Sequence, residues 1–193
     1  ILSGEASGDV YGAKLARELR LIAAERGETI EIAGMGGPEM RKADIDIRVD
    51  STELGVVGVI EVLKHIFTFI GIFFRLVGQA KRERPGAVVL IDYPGFNLNI
   101  AQYLHSHTRI PVFYYISPKI WAWKEYRIKE IKRNVDELFS ILPFEVPFFE
   151  QKHHYPIHYV GNPTAEEVRQ FRAAYNVSGE EFRREHGLDE RPI

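Results

Sequence analysis

Apolar runs of strand length recur along the chain, separated by longer stretches in which apolar positions return every three or four residues. Continuous apolar runs suit strands covered on both faces, and the longer period suits helices between them. Ala87–Ile91 (AVVLI), Val112–Ile116 (VFYYI), Leu138–Leu142 and His158–Val160 are the clearest strands. Helices are expected over Phe96–His105 and Tyr126–Val135, and after the opening segment, where Leu15, Leu19, Ile22 and Ala23 share one face. Thr164-Ala-Glu-Glu167 and Ser178-Gly-Glu-Glu181 have capping-box spacing and so start two late helices, with Gly187 as a C-terminal stop. This alternation predicts an α/β fold, a Rossmann-like parallel sheet flanked by helices.

Val56–Val77 (VVGVIEVLKHIFTFIGIFFRLV) breaks the pattern, with Glu61, Lys64 and Arg75 as its only charges. Spanning a bilayer takes about 20 mostly apolar residues. The longest uncharged stretch here, Ile66–Phe74, is too short. Apolar side chains at 60, 62, 63, 66, 67, 69, 70, 73 and 74 cover more than one helix face. Part of that surface is expected to leave the core and meet lipid, an acyl chain or another protein, with full burial as the competing outcome.

Composition narrows the classes. The 193 residues suffice for one sizeable core, and 25 basic against 27 acidic side chains give no electrostatic reason to expect nucleic acid. The absence of cysteine removes disulfides and thiolate metal sites. The histidines show no metal-ligand spacing and are read as surface or structural residues; no cofactor is expected. The ending LDERPI looks like the approach to another strand, which suggests a fragment.

Ligands of open parallel sheets sit beyond the carboxyl ends of the strands. Four strand ends therefore carry the candidate chemistry: Gly4-Glu5-Ala6-Ser7-Gly8-Asp9, Asp92-Tyr93-Pro94-Gly95-Phe96-Asn97, Ser117-Pro118-Lys119-Ile120-Trp121-Ala122-Trp123, and Pro143-Phe144-Glu145. The first segment is either a cradle for a sugar or anion or a simple helix cap through Ser7 or Asp9. It has neither Walker nor dinucleotide glycine spacing. Asp92, directly behind five apolar residues, suits a desolvated general base; the bland alternative is a cap on the following helix. Trp121 and Trp123 suit stacking on a sugar or acyl chain, or plain packing.

Seven segments together, SGEASGD, GMGGPEM, LGVVGVIEVL, LIDYPGFN, YYISPKIWAWK, LPFE and YVGNP, resemble the lipid-A-disaccharide synthase family in order and across nearly the whole chain. The resemblance implies the N-terminal half of a GT-B glycosyltransferase, an acceptor-side domain over 1–193, with a separate C-terminal UDP-sugar-binding domain beyond it. The implied reaction is inverting. UDP-2,3-diacylglucosamine and 2,3-diacylglucosamine 1-phosphate give a β-1,6-linked disaccharide and UDP, without a metal, on the cytoplasmic face of a Gram-negative-type inner membrane. By this resemblance Asp92 matches the base that deprotonates the acceptor 6-hydroxyl. Gly4, Glu5, Ser7, Gly8, Asp9, Asn97, Ser117, Trp121 and Trp123 fall in substrate-contacting motifs. Ile60, Val62, Leu63, Ile66, Phe69 and Ile70 match an apolar membrane or acyl patch. Two departures stand out: Gly95 replaces a frequent second acid, which removes support for paired carboxylates, and Lys119 replaces a common serine. The alternatives are another GT-B transferase, a UDP-sugar epimerase or a non-catalytic lipid-binding module.

Overall fold

A computed structural model describes residues 1–51 and 66–188. It divides the chain into two compact units, Ile1–Gly161 and Asn162–Ile193.

The first unit runs β1 (Leu2–Ser3), α1 (Ala6–Glu25), β2 (Ala33–Gly36), α2 (Pro38–Lys42), β3 (Asp46–Asp50), α3 (Ile66–Glu83), β4 (Val88–Ile91), α4 (Pro94–His107), β5 (Val112–Tyr115), α5 (Ile128–Asn134), β6 (Glu137–Ser140), α6 (Glu145–Pro147) and β7 (His158–Tyr159). The strands form one sheet in the order β3-β2-β1-β4-β5-β6-β7. Every pairing is parallel. The chain starts in mid-sheet, works out to one edge and returns to build the other. The switch point therefore falls between β1 and β4, where Leu2 pairs with Leu90 and Ser3 with Ile91. Leu90, Val112, Tyr114 and Leu138 are fully buried, as continuous apolar strands covered on both faces should be.

β2 and β3 are not among the strands that apolar runs single out. Gly34 explains the first: a Cβ there would stand 1.8 Å from the Ile1 carbonyl oxygen, so the close approach of the two backbones requires glycine. β3 is an edge strand, and its polar-apolar alternation leaves only Val49 buried.

Helix α1 turns a different face to the sheet than expected. Gly8, Gly12, Ala13 and Ala16 are buried, whereas Leu15 and Leu19 are half-buried and Ile22 is exposed. The helix lies too close to its neighbours for leucines: a Cβ on Gly8 would come within 2.5 Å of Ser3 Oγ on β1, and one on Gly12 within 2.7 Å of the Met40 sulfur on α2.

On α3, Ile72, Leu76 and Val77 are buried, and Phe69 and Phe73 pack against the same core. That spacing is one face of an α-helix. Phe73 meets Phe96 and Tyr103 edge-to-face at 6.3 and 5.7 Å. Phe69, expected in the apolar patch, is half-buried and packs partly against this core. Ile66, Phe67, Ile70 and Phe74 form the outer apolar side. Ile60, Val62 and Leu63 lie outside the described residues. Among the described residues no helix is long and apolar enough to cross a membrane.

The second unit holds α7 (Pro163–Ala174) and α8 (Gly179–Glu185). Asn162, not Thr164, caps α7, its side-chain oxygen accepting the Thr164 N–H, because Pro163 occupies the first helical position. Ser178 caps α8 as expected. Gly187, at φ +62°, closes that helix, and the Leu188 N–H donates back to the Arg183 carbonyl.

Candidate active site

The carboxyl ends of β1, β4, β5 and β6 deliver their loops to one rim of the sheet. Asp92 follows β4 in a left-handed conformation, φ +45°, and Tyr93 repeats it at +48°. Such backbone costs about 1–2 kcal/mol per residue and persists only where neighbours hold it. Here they do: the Asp92 carbonyl accepts from Asn97 Nδ2 at 2.9 Å and from the buried Tyr114 hydroxyl at 2.5 Å. Asn97 Nδ2 also donates to the Ile91 carbonyl. Gly4 completes the arrangement, since a Cβ there would meet the Tyr93 ring at 2.5 Å.

The Asp92 side chain is half-buried, and burial pushes its carboxyl above the usual carboxylate range; Lys119 opposes the shift without cancelling it. Glu5, which is exposed at the end of β1, is also raised, first by burial and then by the negative charge of Asp92. The two carboxyls therefore share a rim with one lysine. A small open cavity of about 170 Å³ adjoins Asp92 and is lined by Lys119, Ile120, Trp123, Lys124 and Arg127.

Three predicted site residues are buried and hydrogen-bonded within the protein. Asp9 is buried and does not cap α1; its Oδ1 accepts the N–H groups of Gly37 (2.7 Å) and Met40 (3.0 Å), and its Oδ2 that of Glu39 (2.9 Å). It therefore caps α2 across the fold. Asn97 is fully buried and acts on the Asp92 backbone. Ser117 is buried too, donating from Oγ to Glu145 Oε2 at 2.5 Å. Ser7 is exposed on the first turn of α1, and Gly8 is buried where a Cβ would press on Ser3 Oγ.

Glu145, at the end of the LPFE segment, organises the rim beyond its role as a sequence marker. It is 1% exposed and accepts from Ser117 Oγ, from Ser140 Oγ and from Trp121 Nε1 at 2.9 Å. One buried carboxylate thus ties the β5 and β6 loops together. It also holds the indole of the exposed Trp121, which lies edge-on to Phe144 at 5.0 Å. Trp123 is 75% exposed beside the cavity, with Lys124 Nζ 3.9 Å from its ring centre. Lys124 and Arg127 were not foreseen as site residues. Their one sequence signal is a cluster of cations just past a strand end.

Comparison with known proteins bears on the arrangement. The family model described as "Lipid-A-disaccharide synthetase" matches residues 1–186. Proteins named lipid-A-disaccharide synthase include one from Trichlorobacter lovleyi, 46% identical over 87% of this chain and 42% of the relative. Another, from Geobacter sulfurreducens, is 45% identical over 88% of this chain and 42% of the relative. A third, from Solibacter usitatus, is 39% identical over the whole chain and 48% of the relative. The chain spans less than half the length of these relatives.

Proposed function

Because the chain belongs to the lipid-A-disaccharide synthase family, we propose that the protein joins UDP-2,3-diacylglucosamine to 2,3-diacylglucosamine 1-phosphate, and that this chain is the acceptor-side, N-terminal domain of a GT-B glycosyltransferase. The observation that carries the proposal is Asp92: a desolvated carboxyl with a raised pKa, fixed at the carboxyl edge of a parallel sheet beside an open cavity. A base of that kind holds a proton from a hydroxyl more readily than a solvated aspartate would.

In the proposed step Asp92 accepts the proton of the acceptor 6-hydroxyl as that oxygen attacks the donor's anomeric carbon. The carbon–oxygen bond to the diphosphate breaks on the opposite face, UDP departs, and the anomeric configuration inverts. Asn97 and Tyr114 keep the Asp92 backbone in its unusual conformation. Glu5, Ser7 and the amide groups around Gly4 and Gly8 offer hydroxyl-binding partners, and Trp123 offers an aromatic face for the sugar. Groups that receive the departing diphosphate are assigned to the part of the family's length that this chain does not span.

The outer face of α3, with Ile66, Phe67, Ile70 and Phe74 exposed, is proposed to rest on the membrane that supplies the acylated substrates. In this proposal the protein works peripherally on a bacterial inner membrane.

Turnover of the two diacylated substrates by the whole protein tests the proposal. Asp92→Asn is expected to cost about 10²–10⁴-fold in kcat, the usual contribution of a general base. Equal turnover by the variant removes Asp92 as the base. Equal use of UDP-N-acetylglucosamine as donor removes the diacylated substrate.

A further inference from the structure

The cavity beside Asp92 is electrostatically lopsided. Lys119, Lys124 and Arg127 line it against a single carboxylate. Among the described residues none of the three forms an ion pair. Glu125, the acid adjacent in sequence, is turned away: its carboxylate pairs with Lys152 at 2.7 Å and with His153 at 3.0 Å. Lys124 is held over the Trp123 ring instead. Three cations against the one carboxylate of a small cavity, of which only Lys119 is near enough to Asp92 and Glu5 to act on them, leave an excess of positive charge that suits an anionic ligand, and the guanidinium fork of Arg127 suits phosphate oxygens.

We infer that Lys119, Lys124 and Arg127 form a phosphate subsite that grips the anomeric phosphate of the acceptor and so aims its 6-hydroxyl at Asp92. This inference rests on the reaction proposed above. An acceptor sugar carries its reacting hydroxyl and its phosphate at opposite ends of the ring. A phosphate against the cations therefore keeps its own charge off Asp92 while the hydroxyl reaches the carboxylate. The donor also carries phosphate, but in-line displacement expels its diphosphate from the face opposite the attacking oxygen, away from the base. Cations on the side of Asp92 accordingly serve the acceptor.

Steady-state kinetics of the whole protein, with acceptors bearing and lacking the anomeric phosphate, decide the matter. Lys124→Gln and Arg127→Gln should each raise the acceptor KM about tenfold, the usual effect of losing one charge-assisted hydrogen bond, and leave the donor KM unchanged. With the dephosphorylated acceptor, wild type and variants should be alike, and Arg127→Lys should recover part of the loss. Thermal melts of each variant separate a folding defect from a binding one. A rise in donor KM instead assigns the cations to the donor diphosphate and overturns the inference. So does an unchanged acceptor KM, or an equal penalty on the dephosphorylated acceptor. If the wild type fails to join the two diacylated substrates, the reaction is wrong, and titration with glucosamine 1-phosphate against glucosamine still tests the subsite. Phosphate-dependent binding that Arg127→Gln abolishes supports it; binding indifferent to phosphate or to the substitution overturns it.

Discussion

Asp92 combines two features that oppose stability: a left-handed backbone and a carboxyl drawn from water. Its folded pKa lies above the unfolded one, so ionisation at neutral pH weakens the native state, and wild-type stability recovers as pH falls through the folded pKa. Asp92→Asn should therefore melt higher than wild type at pH 7 while losing turnover. The difference should vanish in acid, as scanning calorimetry across pH would record. Lys119 works in the other direction, favouring the charged carboxylate. Lys119→Met should raise the Asp92 pKa further and move the acid limb of the kcat/KM profile to higher pH. The desolvated position of Asp92 was legible in the sequence, because a carboxylate directly behind an apolar strand sits at the edge of the sheet. The duties of Asp9, Asn97 and Ser117 were not. Each bonds to a partner distant in the chain or to backbone whose conformation only the fold reveals.

The loops are held by one buried acid. Glu145→Ala would leave the buried Ser117 hydroxyl and the Trp121 N–H without their acceptor and Ser140 with the Leu142 carbonyl alone, at about 2–4 kcal/mol, lowering the melting temperature by roughly 5–10 °C. Urea unfolding measures the same loss. On α3 the two faces should answer differently. Phe67→Glu and Ile70→Glu alter exposed positions, so stability should stay within about 0.5 kcal/mol, whereas binding to phospholipid vesicles should fall at least about tenfold. Ile72→Glu, on the buried face, should unfold the protein. Unchanged vesicle binding by the two outer variants would contradict the membrane assignment. Helical period located α3's apolar excess but not its division between core and surface, which depends on where α4 lies. The same limit hid the buried face of α1. Periodicity weights large apolar residues, and this helix approaches the sheet through glycine and alanine.

The sheet order puts the end of β1 and the end of β4 on either side of the switch point, and with them Glu5 and Asp92. Strong apolar runs announced β4 through β7, whereas β2 and β3 were masked by a glycine forced on Gly34 and by edge-strand polarity. Convergence of Lys119, Lys124 and Arg127 on one cavity is likewise a product of the assembled fold. Family membership, Asp92 and the cavity together make the chain the acceptor half of a glycosyltransferase in our proposal. The most direct test is disaccharide formation by the whole protein from UDP-2,3-diacylglucosamine and 2,3-diacylglucosamine 1-phosphate, wild type against Asp92→Asn. The account predicts rapid β-1,6 disaccharide and UDP release from the wild type and a loss of about 10²-fold or more in the variant; no product from the wild type, or equal rates from both, would contradict it.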